Sequence, residues 1–321
     1  MSTRVCVIGG RGYVGAELLA LLEAHPEFEV ARVASRSLAG QRVRDLYPNL
    51  TSHLAFEQLG PEAMEDTGCD AIVLALANGE AAAYIAHVPD SVAVVDLSAD
   101  YRFDDGWTYG LPERNATAIA KARHISNPGC YATAAQLALM PLSNSITGTP
   151  VVFGLSGYSG AGRRPSPKNN PKRLADNVIP YSLTDHVHER EISHQMGRPV
   201  RFMPHVLPFF RGISVTVTAE ISRPMSDADV LDRFSEHYSD SAMTDVQTDI
   251  PEISQVANTP RAIVGGFAGS RKHVVVVSVL DNLLKGAASQ AIENLNLMFG
   301  HNQALGLGPK VQPQRVSGGT Q

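Results

Sequence analysis

The run Gly9-Gly-Arg-Gly12-Tyr-Val-Gly15 limits what this chain can fold into more than any other stretch. The strand-like run Arg4-Val-Cys-Val-Ile8 precedes it, and residues 14–24 follow with apolar positions at helical spacing. A glycine turn between a buried strand and a helix reverses the backbone sharply and lets a pyrophosphate reach the positive end of the helix. Gly9, Arg11, Gly12, Tyr13, Val14 and Gly15 are therefore expected to line a dinucleotide site, with a purely structural turn as the alternative. A bare glycine triplet is weak evidence, but here the strand and helix that the motif requires are both present.

Residues 29–34, 71–76 and 92–97 look like further buried parallel strands. The alternation predicts an α/β fold, a Rossmann-type doubly wound parallel sheet. After Pro150 the texture changes, with long β-rich segments at 151–155, 213–220 and 273–280 and few helices between them. This predicts an α+β catalytic domain with a mixed or antiparallel sheet. Residues 282–299 carry Leu284, Ala287, Ala288, Ala291 and Leu295 on one helix face, which is expected to pack back on the first domain. The expected division gives residues 1–129 and 283–321 to dinucleotide binding, and 130–282 to catalysis, substrate binding and oligomerisation. The tail 310–321, rich in Gly, Gln and Ser, is expected to be mobile.

A chain of 321 residues with 44% hydrophobic content can bury a full core in two domains. Its three cysteines, Cys6, Cys69 and Cys130, have no metal-like spacing, so neither a disulfide framework nor a zinc cluster is expected. No apolar stretch approaches the roughly 20 residues that span a bilayer. A net charge of −5 without a basic block argues against a nucleic-acid surface. A soluble cytoplasmic protein without membrane or nucleic-acid partners is the expectation.

The second strand ends Ala34-Ser35-Arg36-Ser37, where NAD-preferring sites usually carry an acid. The Ser35 hydroxyl and the Arg36 guanidinium suit a 2′-phosphate, so NADP(H) is the expected cofactor; a solvated Arg36 is the alternative.

Ser126-Asn-Pro-Gly-Cys130-Tyr131 sets one cysteine behind a Pro-Gly turn and before the apolar run 132–142. A helix N-terminus favours thiolate over thiol, which makes Cys130 a candidate nucleophile rather than a buried structural cysteine. Asp185-His186-Val-His188-Glu-Arg-Glu191 supplies a candidate acid/base. On a helix His188 and Glu191 share a face, where the acid can orient the imidazole. A zinc site with His194 is the rival, without the His-Glu-x-x-His spacing; histidines without a role are another. Asp96-Leu-Ser98 and Arg102 follow a buried strand at the sheet edge where such folds place ligands, unless Arg102 pairs with Asp104 or Asp105. Ser156-Gly-Tyr-Ser159-Gly160-Ala-Gly162-Arg163 reads as a glycine loop whose N–H groups could line a nicotinamide or an acyl group, or as a flexible turn.

Taken together these motifs carry a resemblance. Gly9-x-x-Gly12-Tyr-x-Gly15, Asp96-Leu-Ser98, Tyr109-Gly-Leu-Pro-Glu113, Asn127-Pro-Gly-Cys130-Tyr, Ser156-Gly-x-Ser159-Gly-Ala-Gly162, His186-x-His188-x-x-Glu191, Met203-Pro-His205, Arg211-Gly-Ile213 and Asp281-Asn-Leu-Leu-Lys285-Gly-Ala-Ala run in order along the chain. The series resembles the N-acetyl-γ-glutamyl-phosphate reductase family, relatives of aspartate-semialdehyde dehydrogenase, in a shorter form that carries Pro165-Ser-Pro-Lys-Asn-Asn170. Arg11 stands where many members have Ser, and Arg190 where Pro is common.

The resemblance implies NADPH-dependent reduction of an acyl phosphate to a semialdehyde and inorganic phosphate through a thioester on Cys130, with His188 as acid/base oriented by Glu191. It implies Ser98 and Arg102 near the phosphate, and Asn127, Ser156, His186, His205 and Arg211 as substrate contacts. Arg102 and Arg211 are the expected cation pair for the substrate's anions. Ser159, Gly160 and Asn282 are expected toward the nicotinamide, and a homodimer or homotetramer is the usual assembly. An enzyme acting on aspartyl or N-acetyl-aminoadipyl phosphate would share the same chemistry. A non-catalytic dinucleotide sensor is the distant alternative, disfavoured by the presence of both Cys130 and His188.

Overall fold

The computed structural model describes residues 2–308, so the tail 310–321 and the end of the expected 283–321 segment lie outside the described residues. The first part of the chain runs β1 (Thr3–Ile8), α1 (Tyr13–Glu23), β2 (Phe28–Ala34), α2 (Val43–Leu46), β3 (Ala71–Leu74), α3 (Ala81–Ile85), β4 (Ala93–Asp96), β5 (Thr108–Tyr109), α4 (Pro112–Ile119) and β6 (His124–Ser126). Its six strands form one parallel sheet in the order β2-β1-β3-β4-β6-β5. The strands are short and apolar because both faces are covered; Ala71–Leu74 and Ala93–Asp96 are buried throughout. The order reverses between β1 and β3, and the crevice beyond their carboxyl ends is where such sheets take ligands. The glycine turn opens into that crevice.

The second part runs α5 (Cys130–Leu139), β7 (Val151–Gly157), α6 (Pro171–Leu174), β8 (Ile179–Pro180), α7 (Val187–Met196), β9 (Arg201–Leu207), β10 (Ile213–Glu220), α8 (Asp227–His237), β11 (Thr244–Val246), β12 (Ala262–Gly269), β13 (His273–Leu280) and α9 (Ala288–Met298). Its seven-stranded sheet has the order β11-β12-β13-β10-β7-β9-β8 and is mixed, with β11/β12 and β7/β9 parallel and the other pairs antiparallel. Alternate residues of β10 are buried, Ile213, Val215, Val217 and Ala219, in one core with Ala134, Ala138 and Leu139 of α5 and Phe234 of α8. The fold class read from the sequence is the one observed. No helix among the described residues is long and apolar enough to cross a membrane.

Two local expectations need correction. The helix expected over 282–299 begins only at Ala288, because the Asp281 carboxylate accepts the N–H groups of Leu283 and Leu284 and its carbonyl accepts Gly286 N–H, which winds residues 281–287 into a turn. Residues 156–163 are no open loop. Ser156 and Gly157 end β7, and Tyr158–Ala161 form a 3-10 turn pinned by bonds from Tyr158 and Ser159 N–H to the carbonyls of Phe209 and Phe210.

α9 does return to the first sheet, where Ala288, Ala291, Ile292 and Leu295 share a core with Val5, Leu18 and Val95. It brings a buried ion cluster with it. Lys285 Nζ lies 2.7 Å from Glu113 of α4 and 2.7 Å from Glu293 of α9, and Thr244 of β11 donates to Glu113. Lys285, just beyond β13 of the second sheet, is thus tied through an ammonium that is 0% exposed to two helices of the first, and Thr244 of β11 braces one of its acids. Removing that ammonium leaves two carboxylates without a counter-charge in a dry interior, so Lys285→Met is expected to lower the unfolding free energy by about 3–5 kcal/mol. Urea denaturation measures it, and a loss below about 1 kcal/mol would show that the cluster does not tie the sheets together.

Candidate active site

Cys130 is the first residue of α5, preceded by Gly129 in an extended conformation as N-cap. The turn before it is fixed from one point. The Glu191 carboxylate accepts the Gly129 N–H at 2.8 Å and the Tyr109 hydroxyl at 2.8 Å on one oxygen, and Arg102 Nη1 at 3.0 Å on the other. Arg102 directs its remaining N–H groups to the carbonyls of Asn127 and Leu97. Gln136, one and a half turns into α5, donates to the Tyr109 hydroxyl at 2.7 Å. Three groups thus converge on a carboxylate that is 0% exposed, with Gln136 supporting one of them.

His188 stands beside this turn. A Cβ added to Gly129 would collide with His188 Nε2 and lie 2.7 Å from Arg102 Nη1, so glycine is required there for both side chains to approach the cysteine loop. His188 and Glu191 share the buried face of α7 as expected. The expected hydrogen bond between them is not formed, since Glu191 is fully engaged by Gly129, Tyr109 and Arg102, and His188 Nδ1 is buried without a partner. His186 caps α7 by accepting the His188 N–H on Nδ1 at 3.1 Å.

The electrostatics are those of a dry cleft. Burial, with Arg102 and His186 adding to it, holds His188 well below the usual imidazole range, so the ring is neutral near pH 7. Burial also pushes the half-buried Cys130 thiol up to about 11, against the lowering by the Tyr131 N–H and Arg102. The expected resting thiolate is thereby corrected. Desolvation outweighs the helix terminus, and the proton stays on sulfur until a base takes it.

Other expected residues fall into place differently. Arg102 pairs with Glu191 rather than Asp104 or Asp105. Arg211 is held between Glu17 of α1 and Asp281, 3.1 Å from the latter. Neither guanidinium is an uncompensated cation, so the expected Arg102–Arg211 pair is not available as such. The Ser98 hydroxyl donates to the buried Asp96 carboxylate at 2.6 Å, which leaves it no hydrogen for a phosphate. Asn127 is locked by Asn294, and the Ser156 hydroxyl donates to the Gly157 carbonyl. His205 packs at a tilt against Phe153, ring centroids 4.4 Å apart, with Nδ1 3.1 Å from the Met203 carbonyl, on the strand whose backbone takes the Tyr131 hydroxyl.

Asn282 uses both ends of its amide inside the protein, accepting Gly212 N–H at 2.7 Å and donating to Ser159 Oγ at 2.8 Å. It holds the Ser159 hydroxyl with its hydrogen free to point elsewhere. Gly286, in the same turn, packs so tightly that an added Cβ would be 2.6 Å from Cys130 Cβ. Gly160 sits against Ser156, where a Cβ would meet its hydroxyl at 3.2 Å.

The residues of the glycine turn fit a dinucleotide. Gly9 has φ +91° and no room for a side chain, because a Cβ there would run into the Ala75 carbonyl; a Cβ on Gly15 would meet Gly9 and Gly10 at 2.7 Å. Gly12 has no such neighbour, its nearest contact being 3.6 Å, so its bare backbone leaves the mouth of α1 open. Arg11 reaches across to Ser37 Oγ at 2.7 Å, Ser35 is buried, and Arg36 is exposed, 4.0 Å from Glu80. Tyr13 and the adjacent Val14 open α1, with the Tyr13 ring against Phe210.

Residues 4–122 match the semialdehyde dehydrogenase NAD-binding domain family, and residues 130–282 the semialdehyde dehydrogenase dimerisation domain family. An N-acetyl-γ-glutamyl-phosphate reductase of Stenotrophomonas maltophilia is 51% identical over 300 residues, covering 92% of this chain and 94% of that one. One of Xanthomonas campestris pv. campestris is 47% identical over 311 residues, covering 95% and 98%. The chain belongs to the N-acetyl-γ-glutamyl-phosphate reductase family. It is thus an oxidoreductase of amino-acid biosynthesis.

The fold extends further than the sequence likeness. Aspartate semialdehyde dehydrogenase II of Vibrio cholerae, complexed with ASA, superposes with a TM-score of 0.76 at 19% identity over 94% of this chain and 99% of that one. The Candida albicans aspartate semialdehyde dehydrogenase with NADP gives 0.71 at 19%, over 93% and 99%. Two residues of the site have no role that the sequence discloses: Tyr109 lies within a motif of the family but without an assigned part, and Gln136 lies in none. An isolated Tyr or Gln carries no local signal; only the three-dimensional convergence on Glu191 reveals Tyr109 and Gln136.

The raised thiol makes a prediction about the free enzyme. Alkylation of Cys130 by iodoacetamide should accelerate about tenfold per pH unit between pH 7 and 9, because the thiolate fraction grows that way below its pKa. Peptide mass spectrometry across that range measures it, and a rate that levels off below pH 8 contradicts the burial argument.

Proposed function

We propose that the protein reduces N-acetyl-γ-glutamyl phosphate to N-acetylglutamate 5-semialdehyde and inorganic phosphate with NADPH, through a thioester on Cys130. The observation that carries this reading is the Cys130 thiol at the start of α5, beside a neutral His188 whose Nε2 reaches the Gly129 backbone.

Cys130 sulfur attacks the acyl carbon while its proton passes to His188, which is able to accept it because the ring is neutral in the resting cleft. The carbon–oxygen bond to phosphate breaks with its electron pair on phosphate, and the acyl group stays on sulfur. N–H groups at the start of α5 face the developing oxyanion and stabilise it without reorganising. The chemistry that a bound NADPH supplies is hydride delivery to the thioester carbon. His188 then returns its proton to the oxyanion, and when the thiohemiacetal collapses the hydroxyl proton passes through His188 to the departing sulfur, freeing the aldehyde and restoring the thiol. Glu191 contributes by holding the Gly129 N–H and Arg102, not by touching the imidazole.

The backbone at Gly9, Gly12 and Gly15 would hold the pyrophosphate at the mouth of α1. Arg11, Ser35 and Arg36 would surround the 2′-phosphate, and Ser159, Gly160 and Asn282 would line the nicotinamide end. The reading carries with it a cytoplasmic enzyme of arginine biosynthesis that works as a homodimer or homotetramer. The family description of residues 130–282 as a dimerisation domain supports the assembly.

The test is phosphate-dependent reduction of NADP by N-acetylglutamate semialdehyde, run beside aspartate semialdehyde and with Cys130→Ser. N-acetylglutamate semialdehyde should have the higher kcat/KM, and the serine variant should fall to about a hundredth of wild type or less while still binding NADPH, since a hydroxyl is a far weaker nucleophile than a thiolate. Preference for aspartate semialdehyde would overturn the substrate, and an active serine variant the thioester.

A further inference from the structure

The substrate of the proposed reaction brings a phosphoryl group on the carbon that is attacked and a carboxylate at the opposite end of its carbon chain. The two arginines that the sequence offers for these charges are already matched, Arg102 by Glu191 at 3.0 Å and Arg211 by Glu17 and by Asp281 at 3.1 Å. A guanidinium whose charge is balanced by a buried carboxylate offers a further anion little net attraction.

Lys168 is different. Among the described residues it enters no ion pair, and its ammonium lies over the ring of Tyr181, 4.4 Å from the centroid. The segment that carries it is folded rather than dangling. Asn169 donates to the carbonyls of Gly162 and Arg164, both at 2.8 Å, and Ser166 Oγ accepts the Lys168 N–H at 3.3 Å.

From that ammonium a row of rings leads to the cysteine loop. Tyr181 is 5.5 Å from His186, His186 is 4.9 Å from His188, and His188 abuts Gly129. After burial, the lysine's charge is the strongest influence holding His186 down at about 4, in keeping with the two facing each other. A cavity of about 900 Å³ opens beside the segment, lined by Tyr13, Tyr158, Arg163 and residues 165–167 and 169–173, the neighbours of Lys168 on both sides. Of the cations that line it, Lys172 and Arg173 are exposed, and Arg163 lies over the Tyr13 ring at 4.8 Å, on the side of the dinucleotide turn.

We propose that Lys168 receives the carboxylate of the acyl-phosphate substrate. The inference rests on the reading of Cys130 as the nucleophile. The departing phosphate is bonded to the carbon that Cys130 attacks, so it must lie against the cysteine loop itself. Lys168 is separated from His188 by the His186 ring, and so meets the far end of the substrate. Its seat over Tyr181 holds the ammonium in place without neutralising it, which lowers the ordering cost of binding.

The test uses the full-length enzyme in the oxidative direction, with separate KM values for N-acetylglutamate semialdehyde and for inorganic phosphate. Lys168→Met should raise KM for the semialdehyde by about tenfold or more with kcat changed less than about threefold, as expected when an ion-assisted hydrogen bond made equally in ground and transition states is lost. KM for phosphate should stay within about twofold, and Lys168→Arg should recover most of the loss. 4-Acetamidobutanal, which has the same chain without the carboxylate, should be oxidised equally well by wild type and by Lys168→Met. An unchanged semialdehyde KM, a rise confined to phosphate, or an equal loss on 4-acetamidobutanal each overturns the assignment. A wild-type enzyme that fails to oxidise the semialdehyde at all would instead sink the reaction on which it rests.

Discussion

The carboxylate of Glu191 is the contact on which the rest of the site depends. It is wholly buried, yet it takes a backbone N–H from the turn before the cysteine, a hydroxyl from the first sheet's edge strand and a guanidinium from beyond β4. Burying a carboxylate is costly unless both oxygens are hydrogen-bonded and a counter-charge is close, and both conditions are met here. The consequence is geometric. α7 of the second sheet's domain is bolted to the loop that starts α5, and that bolt sets where His188 meets Gly129, the residue before Cys130.

The same matching of charge runs through the interior. Arg102 and Arg211 are balanced by acids, and Lys285 is enclosed by Glu113 and Glu293. A cleft ringed by neutralised ions is a low-dielectric cleft, which explains why the thiol and the imidazole shift in opposite directions, the thiol up and the imidazole down. Each is pushed toward its neutral form. In the proposed reaction the neutral imidazole is the group able to take up the thiol's proton.

Much of the fold is legible in the sequence because it follows from periodicity. The buried strands at 71–76 and 92–97, the β-rich runs at 213–220 and 273–280 and the strand–glycine–helix junction all carry signals confined to a few residues. What is not legible is long-range. That Glu191 serves Gly129 instead of His188 depends on Tyr109 and Arg102, which lie 82 and 89 residues away in sequence. The arginines look free in the sequence because a sequence shows a cation but not its partner. The helix expected from 282 begins late because the Asp281 carboxylate captures the N–H groups that follow it, a competition that apolar spacing does not report.

The site's geometry turns on Glu191 acting through Gly129 and Arg102, and Glu191→Gln tests that most directly. The amide keeps one acceptor oxygen but presents N–H groups to Arg102 and leaves that guanidinium without its counter-charge. Two readouts should then move in opposite senses. Turnover should fall by about a hundredfold as the cysteine loop shifts, while Cys130 alkylation at pH 8 should quicken, because an uncompensated Arg102 lowers the thiol and the acid that raised it is gone. Slower turnover with unchanged alkylation would contradict this role, and would return Glu191 to the imidazole.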